Sequence, residues 1–326
     1  MTIAHSKIYA ATLPAAGGLS AGCAAQWVAV MGDYIASFRS ALADAGVILH
    51  PSEGIRADGV LHRARSADDK PGRVSCWYRL HLDSPVAGAG GDWRQGISTR
   101  WTAKRQTLMS AAERIELARR IERERAEHQA EQEARHRDAA AKAARIWASA
   151  APANPNHAYL LKKQIEPGIS RQRGDMLILP VTGFDGDLRG VQTISPTGEK
   201  RFTKGMYKQG AFIRTDGMPS PDTRLLICEG WATAQTLAAL SPGAVVLAAL
   251  DAGNLQAVAV EARRRFPLID LVVAADADPV GLEKAKAAAT ASRAKWIWPR
   301  FPKDAPAGLS DFNDWACWRK SQGVAS

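Results

Sequence analysis

Cysteine is scarce in this 326-residue sequence, which contains only four. They stand far apart, at Cys23, Cys76, Cys228 and Cys317, and no two form a C-x-x-C pair. This spacing excludes a zinc ribbon and provides no disulfide framework, so we predict no zinc cofactor. A chain of this size without disulfides fits a reducing compartment, and we therefore expect a cytoplasmic location.

Long apolar runs are also missing, because none approaches the roughly 20 residues that span a bilayer. We therefore expect no membrane partner. Residues 1–18 lack the charged start and compact apolar stretch of a signal peptide, and none is expected there. The G-x-x-x-x-G-K-[ST] phosphate loop is absent as well, which disfavours an ATP-driven nuclease.

Basic residues outnumber acidic ones, with 43 Lys and Arg against 33 Asp and Glu, and the net charge is +10. Such a balance favours an anionic partner, and nucleic acid is the commonest one. The simpler alternative is that this charge only keeps the protein in solution.

The first half of the chain predicts two segments. Residues 1–103 are expected to form an α+β domain, with an amphipathic helix over 26–45 and strands near 60–63 and 74–82. Residues 104–149 contain neither Gly nor Pro and predict one long charged helix. We interpret this helix as a solvated connector; the alternative is a basic arm that lies along nucleic acid.

The second half predicts a strand-rich basic subdomain over 150–220 and a catalytic α/β domain over 221–326. In the latter, strands and helices alternate, which predicts a mainly parallel sheet with helices on both faces. The expected strands are 224–228, 244–249, 269–275 and 295–298, and the expected helices are 231–240, 254–265 and 279–292.

Carboxylates follow two of these strands. Glu229 ends the run Leu225–Cys228, and Asp276 and Asp278 follow the run that ends at Ala275. Ligands bind at the carboxyl ends of parallel strands, so we expect the three carboxylates to converge in one crevice. Hard oxygen ligands select Mg²⁺ or Mn²⁺, which usually act on phosphate. The alternatives are a helix-start role for Glu229 and an N-cap role for Asp278.

Further polar residues are candidates for the same site. Asp311 opens the last predicted helix and is either its cap or a further metal ligand. Asn254 either caps a helix or contacts a phosphate. A basic cluster upstream, interleaved with aromatic residues, suits a phosphate backbone and stacked bases, or else forms an ordinary basic surface. Its members are Arg171, Arg173, Lys200, Arg201, Lys204 and Lys208.

These residues together resemble the Toprim domain shared by DnaG-type primases, topoisomerases, recombination mediators and some nucleases. The match runs from about residue 224 to 318 and rests on Glu229-Gly230 and the Asp276-Ala277-Asp278 motif. The segments 231–234, 251–255 and 311–314 further resemble the primases of conjugative plasmids and phages. The resemblance implies that Glu229 is the acid/base and that Asp276 and Asp278 bind divalent metal.

The resemblance also implies a function: synthesis of short RNA primers on single-stranded DNA from ribonucleotide triphosphates, with a replicative helicase as a further candidate partner. A Toprim nuclease and a non-catalytic nucleic-acid-binding or host-interaction module are the alternatives. A topoisomerase is disfavoured because it requires a tyrosine nucleophile on a much larger body. A phosphatase with an Asp-x-Asp motif is disfavoured because too little chain follows Asp278.

Overall fold

The computed structural model describes residues 21–323 apart from 105, 216, 218, 221 and 222. The expectation about a signal peptide concerns residues outside this range. The chain forms two compact units, one up to Glu127 and one from His128 onward. Among the described helices, none combines the length and apolar character needed to cross a membrane.

The first unit is a four-stranded antiparallel sheet with a helix on one face. Its strands are consecutive neighbours in the order β1-β2-β3-β4. Phe38 and Leu42 of the helix pack against Tyr78 and Leu80 of the second strand, and all four are buried. The elements are α1 (Ala21–Asp44), β1 (His62–Ala64), β2 (Cys76–His81), β3 (Ala87–Asp92) and β4 (Ile97–Thr102).

The sequence predicted the helix and the first two strands of this unit but neither β3 nor β4. β3 reads Ala-Gly-Ala-Gly-Gly-Asp, and glycine is depleted in strands because it costs entropy and packs no side chain. The structure shows why glycine is present. A Cβ on Gly90 would lie 2.6 Å from Leu42 Cδ2 and 2.9 Å from the carbonyl oxygen of Trp77. The missing side chains let α1 lie directly on the sheet.

The long helix, α2, spans Ala111–Ala148 and begins seven residues later than predicted. Its start is a capping box: the Ser110 Oγ accepts from the Glu113 amide at 3.2 Å, and the Ser110 amide donates to Glu113 Oε2 at 2.7 Å. The division between the two units falls inside this helix, so the segment 104–149 is not a separate body.

The second unit opens with an antiparallel meander in the order β5-β6-β7-β8-β9. The predicted hairpin at Asp185-Gly186 joins β7 to β8, and Gly186 has the positive φ of 86° that such a turn uses. The elements are β5 (Ala151–Pro152), α3 (Ala158–Lys163), β6 (Arg171–Arg173), β7 (Met176–Thr182), β8 (Leu188–Ile194) and β9 (Lys200–Phe202).

A second sheet follows, in the order β10-β12-β11-β13-β14. Four of its strands are parallel, and only the edge strand β10 is antiparallel, which confirms the predicted α/β fold class. The elements are β10 (Ile213–Arg214), β11 (Arg224–Cys228), α4 (Trp231–Leu240), β12 (Val245–Ala248), α5 (Leu255–Arg265), β13 (Asp270–Ala274), α6 (Pro279–Ser292), β14 (Lys295–Ile297) and α7 (Phe312–Ser321).

Both faces of the parallel sheet are buried. Leu226 and Cys228 face α4 and the meander, where they share one core with Leu177 and Trp231. Alternate residues, such as Ile227, face α5 and α6 in a second core. The predicted boundary at 220/221 therefore separates two sheets that share a core within one unit.

Gly90→Ala should destabilise the first unit by about 1–3 kcal/mol, because the new methyl group has to displace Leu42 and a backbone carbonyl. Thermal unfolding followed by circular dichroism measures this. Gly54→Ala is the matched control, since a Cβ there meets nothing within 4 Å. Equal melting temperatures for the two variants would contradict the packing argument.

Candidate active site

The order of the parallel strands creates a crevice between β11 and β13. The chain leaves β11 toward β12 by way of α4 on one face, and it leaves β13 toward β14 by way of α6 on the opposite face. Adjacent strands whose connections diverge in this way leave an opening at their carboxyl ends. Glu229 follows β11 and Asp276 follows β13, so both carboxylates stand at this opening.

Asp276 is the most perturbed carboxylate of the crevice. Burial, followed by the charges of Glu229, Asp311 and Asp278, raises its pKa to about 7, and Lys200 acts in the opposite direction. Its Oδ1 is buried and accepts no hydrogen bond from the described residues. A buried carboxylate oxygen without a donor is costly unless a cation or a proton satisfies it.

The pKa of Glu229 is also raised by burial and by neighbouring carboxylates. Burial raises its pKa first, then the charge of Asp251, while Lys200 lowers it. A carboxylate with a raised pKa is a stronger base and is therefore better suited to accept a proton. The structure thus brings Glu229, Asp276, Asp278 and Asp311 together, although their roles as catalytic and metal-binding residues stay predictions.

Asp278 and Asp311 each cap a helix. Asp278 Oδ1 accepts from the amides of Val280 and Gly281, both at 2.9 Å, and Asp311 Oδ1 accepts from the Asp314 amide at 2.8 Å. The N-cap alternative therefore holds for both residues, and each caps through one oxygen only. A hydrogen bond of 2.7 Å from the Ala277 amide to the Ser310 carbonyl ties the two loops together.

These carboxylates fit a divalent cation that also binds substrate. Within the part of the chain that the structure describes, no three His, Cys, Asp or Glu side chains are grouped closely enough to enclose a metal by themselves. Mg²⁺ usually keeps several waters and takes only one or two carboxylates together with substrate phosphates. The orphaned Oδ1 of Asp276 is the atom that best fits such a cation.

Two lysines of the predicted basic cluster lie at the crevice. Lys200, on β9, places its Nζ 3.6 Å from the position that a Cβ on Gly230 would occupy. Lys208 forms an ion pair with Asp251 and lies 4.8 Å from the centre of the Phe202 ring. The meander therefore carries positive charge to the carboxylates.

Asp251 is a residue of this site that the sequence prediction did not include. It follows β12 as Glu229 follows β11, so an acidic residue after a buried strand was the available signal. The preceding Leu250 has a φ of 78°, which is a strained conformation for a branched residue. Such strain persists only where surrounding structure holds it, and it frequently marks functional sites.

The remaining cluster members do not converge on the crevice. Arg171 donates to the Trp147 carbonyl at 2.8 Å, and its guanidinium lies 4.3 Å from the centre of that indole ring. Arg173 lies on the same strand, β6, which β7 and β8 separate from β9 by about 14 Å. Arg201 pairs with Glu199 in solvent, and Lys204 is exposed. The expected single cluster is therefore divided between two parts of the meander.

The Asn254 side chain serves neither of its two predicted roles: the residue precedes α5, but its side chain makes no capping hydrogen bond there. Its amide nitrogen donates to the carbonyls of Ala211 and Ala249, at 2.8 and 2.9 Å, and its Oδ1 accepts from the Gly210 amide. Both amide hydrogens are thus used inside the fold, which leaves none for a phosphate. Asn254 holds the segment before β10 against the end of β12.

Comparison with known proteins agrees with this geometry. Residues 224–321 match the model of the Toprim_3 family, described as a Toprim domain. The chain carries a Toprim domain. Its boundaries enclose β11 to α7, and therefore Glu229, Asp276, Asp278 and Asp311. The predicted resemblance to Toprim-containing primases is confirmed, and a divalent metal is the cofactor that such domains generally require.

Two proteins of Escherichia coli, each named DNA primase TraC, are similar to most of the chain. One is 34% identical over 291 residues, which cover 82% of this chain and 27% of that protein. The other is 32% identical over 275 residues, which cover 78% of this chain and 19% of that protein. The chain thus spans about a quarter of the length of the first relative and about a fifth of the length of the second.

Among solved structures, the chain is similar to the primase fragment of the bacteriophage T7 primase-helicase protein. That match has 14% identity and a TM-score of 0.38, and covers 50% of this chain and 69% of that chain. It is also similar to the DnaG catalytic core, with 16% identity and a TM-score of 0.32, over 52% of this chain and 57% of that chain.

Asp276→Asn should stabilise the metal-free protein at neutral and alkaline pH. Between the ordinary pKa of 3.8 and the folded value of about 7, the folded protein holds a proton that the unfolded chain releases. Stability therefore falls as pH rises through this window, and the loss is complete above it. The neutral amide removes this penalty: we expect a gain in unfolding free energy of a few kcal/mol, at most about 4, at about pH 8, and none near pH 3.

Thermal unfolding in EDTA across this pH range measures the effect. The exposed Asp304→Asn is the control and should show no such dependence. A variant that is less stable than the wild type at about pH 8 would contradict the proposed repulsion.

Proposed function

We propose that this chain is a primase-type nucleotidyltransferase that synthesises short RNA primers on single-stranded DNA. The observation that carries the proposal is the convergence of four carboxylates and Lys200 at the switch point of a Toprim domain. The two TraC relatives, each named a DNA primase, support it across both units of the chain. Because the chain spans only part of those relatives, their activity is extended to it here as a proposal.

In this proposal, different carboxylates bind the metal and accept the proton during nucleotidyl transfer. Asp276 and Asp278 would hold Mg²⁺ or Mn²⁺, with Asp311 beside them, and the ion would stabilise the charge that develops on the triphosphate. Glu229, whose pKa is raised, accepts the proton of the attacking ribose hydroxyl. The hydroxyl oxygen bonds to the α-phosphorus as the bond to pyrophosphate breaks. Asp251 raises the basicity of Glu229 through its negative charge.

Lys200 provides the positive charge that a triphosphate requires in an acidic crevice. Its ammonium group lies beside Gly230 and opposes the pKa shifts of both Glu229 and Asp276. A charge-assisted contact from Lys200 to a phosphate oxygen would therefore offset the repulsion of the carboxylates. Ribonucleotide triphosphates and single-stranded DNA are the proposed substrates, a replicative helicase is a proposed partner, and the cytoplasm is the proposed location.

Incubation of the full chain with single-stranded DNA templates, labelled ribonucleotides and Mg²⁺ or Mn²⁺ tests the proposal. We expect short RNA products from the wild type and a loss on the order of a hundredfold or more with Asp276→Asn. Labelled DNA and RNA included in parallel would identify a nuclease by metal-dependent cleavage. Neither products nor cleavage on any template would leave a non-catalytic binding module and would refute the primase proposal.

Lys200→Ala should reduce primer synthesis by about 10- to 100-fold, because it removes a charge-assisted contact worth about 1.5–3 kcal/mol. Arg201→Ala is the matched control: it removes the same charge one residue away, where the guanidinium is 72% exposed and pairs with Glu199. Steady-state rates over a range of nucleotide concentrations measure both variants. Equal losses would mean that only the net charge of β9 matters.

A further inference from the structure

One face of the sheet in the first unit is not covered by α1. Side chains alternate along a strand, so Trp77 points away from the buried Tyr78 and Leu80 that pack on α1. The cross-strand partners of Trp77 are Arg63 on β1 and Gly91 on β3, and the next partner is Ser98 on β4. This row crosses the whole sheet.

The row carries a stack of aromatic and cationic groups. A Cβ on Gly91 would lie 2.7 Å from Trp77 Nε1, so the missing side chain lets the indole lie across β3. The Trp93 ring stacks on that of Trp77, with centroids 6.3 Å apart and planes inclined by 30°. The Arg63 guanidinium lies 5.0 Å from the centre of the Trp93 ring. Trp93 is 50% exposed.

Only one end of this face is covered within the unit. Glu124 of α2 forms an ion pair of 3.0 Å with Arg79, and Leu117 of α2 packs with Ala87 and Met109. The row of Arg63, Trp77 and Ser98 lies beyond that end, two residues further along each strand. Arg100, the cross-strand neighbour of Ala89 on the same face, is exposed beside it.

The residue types of this open row indicate which class of macromolecule it binds. Protein-binding surfaces typically present a contiguous apolar patch around their aromatic residues, although arginine is common in them as well. Here the neighbours are Arg63, Arg100, Ser98 and a glycine, which are cationic, polar or small. Flat aromatic groups flanked by arginine match the bases and phosphates of a single strand, because every base has a face that stacks and every phosphate is anionic.

We propose that the surface formed by Arg63, Trp77, Trp93 and the adjacent Arg100 binds single-stranded DNA. Bases stack on Trp93 and Trp77, and the two arginines contact the phosphates. The choice of DNA over RNA rests on the proposed priming function, whereas the stacking surface does not depend on it.

Fluorescence anisotropy of a labelled oligodeoxythymidine with the full chain, in EDTA and without nucleotides, tests the proposal. Trp93→Leu keeps an apolar side chain but removes the ring, and we expect the Kd to rise on the order of tenfold. Trp93→Phe keeps a ring and should bind within a factor of about two of the wild type. Arg63→Ala should weaken binding more than Arg119→Ala, which removes an exposed charge from α2.

Photocrosslinking of the wild type to an oligonucleotide that contains 5-bromodeoxyuridine gives a second readout that needs no variant. Trypsin releases Trp93 within residues 80–94, and we expect the crosslink there. Unchanged affinity of a folded Trp93→Leu variant, or crosslinks confined to residues 128–326, would overturn the proposal. Because no nucleotide or metal is present, this outcome is distinct from a failure of primer synthesis, and an oligouridine probe shows whether RNA binds as well.

Discussion

Repulsion among carboxylates at the carboxyl end of the parallel sheet is the constraint on which the second unit depends. Burial and mutual charge raise the pKa values of Glu229 and Asp276 together, so the crevice is unfavourable until a cation enters it. Only a rigid backbone can hold such groups in place. The sheet supplies that rigidity because apolar cores cover both of its faces. The well-packed sheet therefore holds the mutually repelling carboxylates of the site in place.

The meander places a positive charge, that of Lys200, next to the carboxylates of this crevice. It shares a core with the parallel sheet, and Lys200 of β9 lies beside Gly230, just after β11. Lys200, on β9, opposes the field of the carboxylates, and Lys208, which follows β9, forms an ion pair with Asp251. The strain at Leu250 fits this account, since it places Asp251 where both Lys208 and Glu229 interact with it.

The sequence predicted the parallel strands and their acidic ends closely, because buried strands are continuous apolar runs and a carboxylate after such a run is conspicuous. It could not predict β3, whose glycines are explained only by the close approach of α1. Nor could it separate Arg171 from Lys200, because strand order within the meander sets their distance apart. For Asp278, the structure shows the cap through Oδ1, and the ligand role stays a prediction for which Oδ2 is available.

The two units offer chemically different surfaces to a nucleic acid. In both units a cation lies over a candidate stacking ring: Lys208 over Phe202 in the second unit, and Arg63 over Trp93 in the first. The second unit differs in its crevice of carboxylates and Lys200, which is suited to metal and phosphates rather than to bases. In the first unit Trp93 is half exposed and has arginine beside it. Since an acidic crevice repels a DNA backbone, a template is better held by a surface whose arginines contact its phosphates and whose tryptophans stack on its bases.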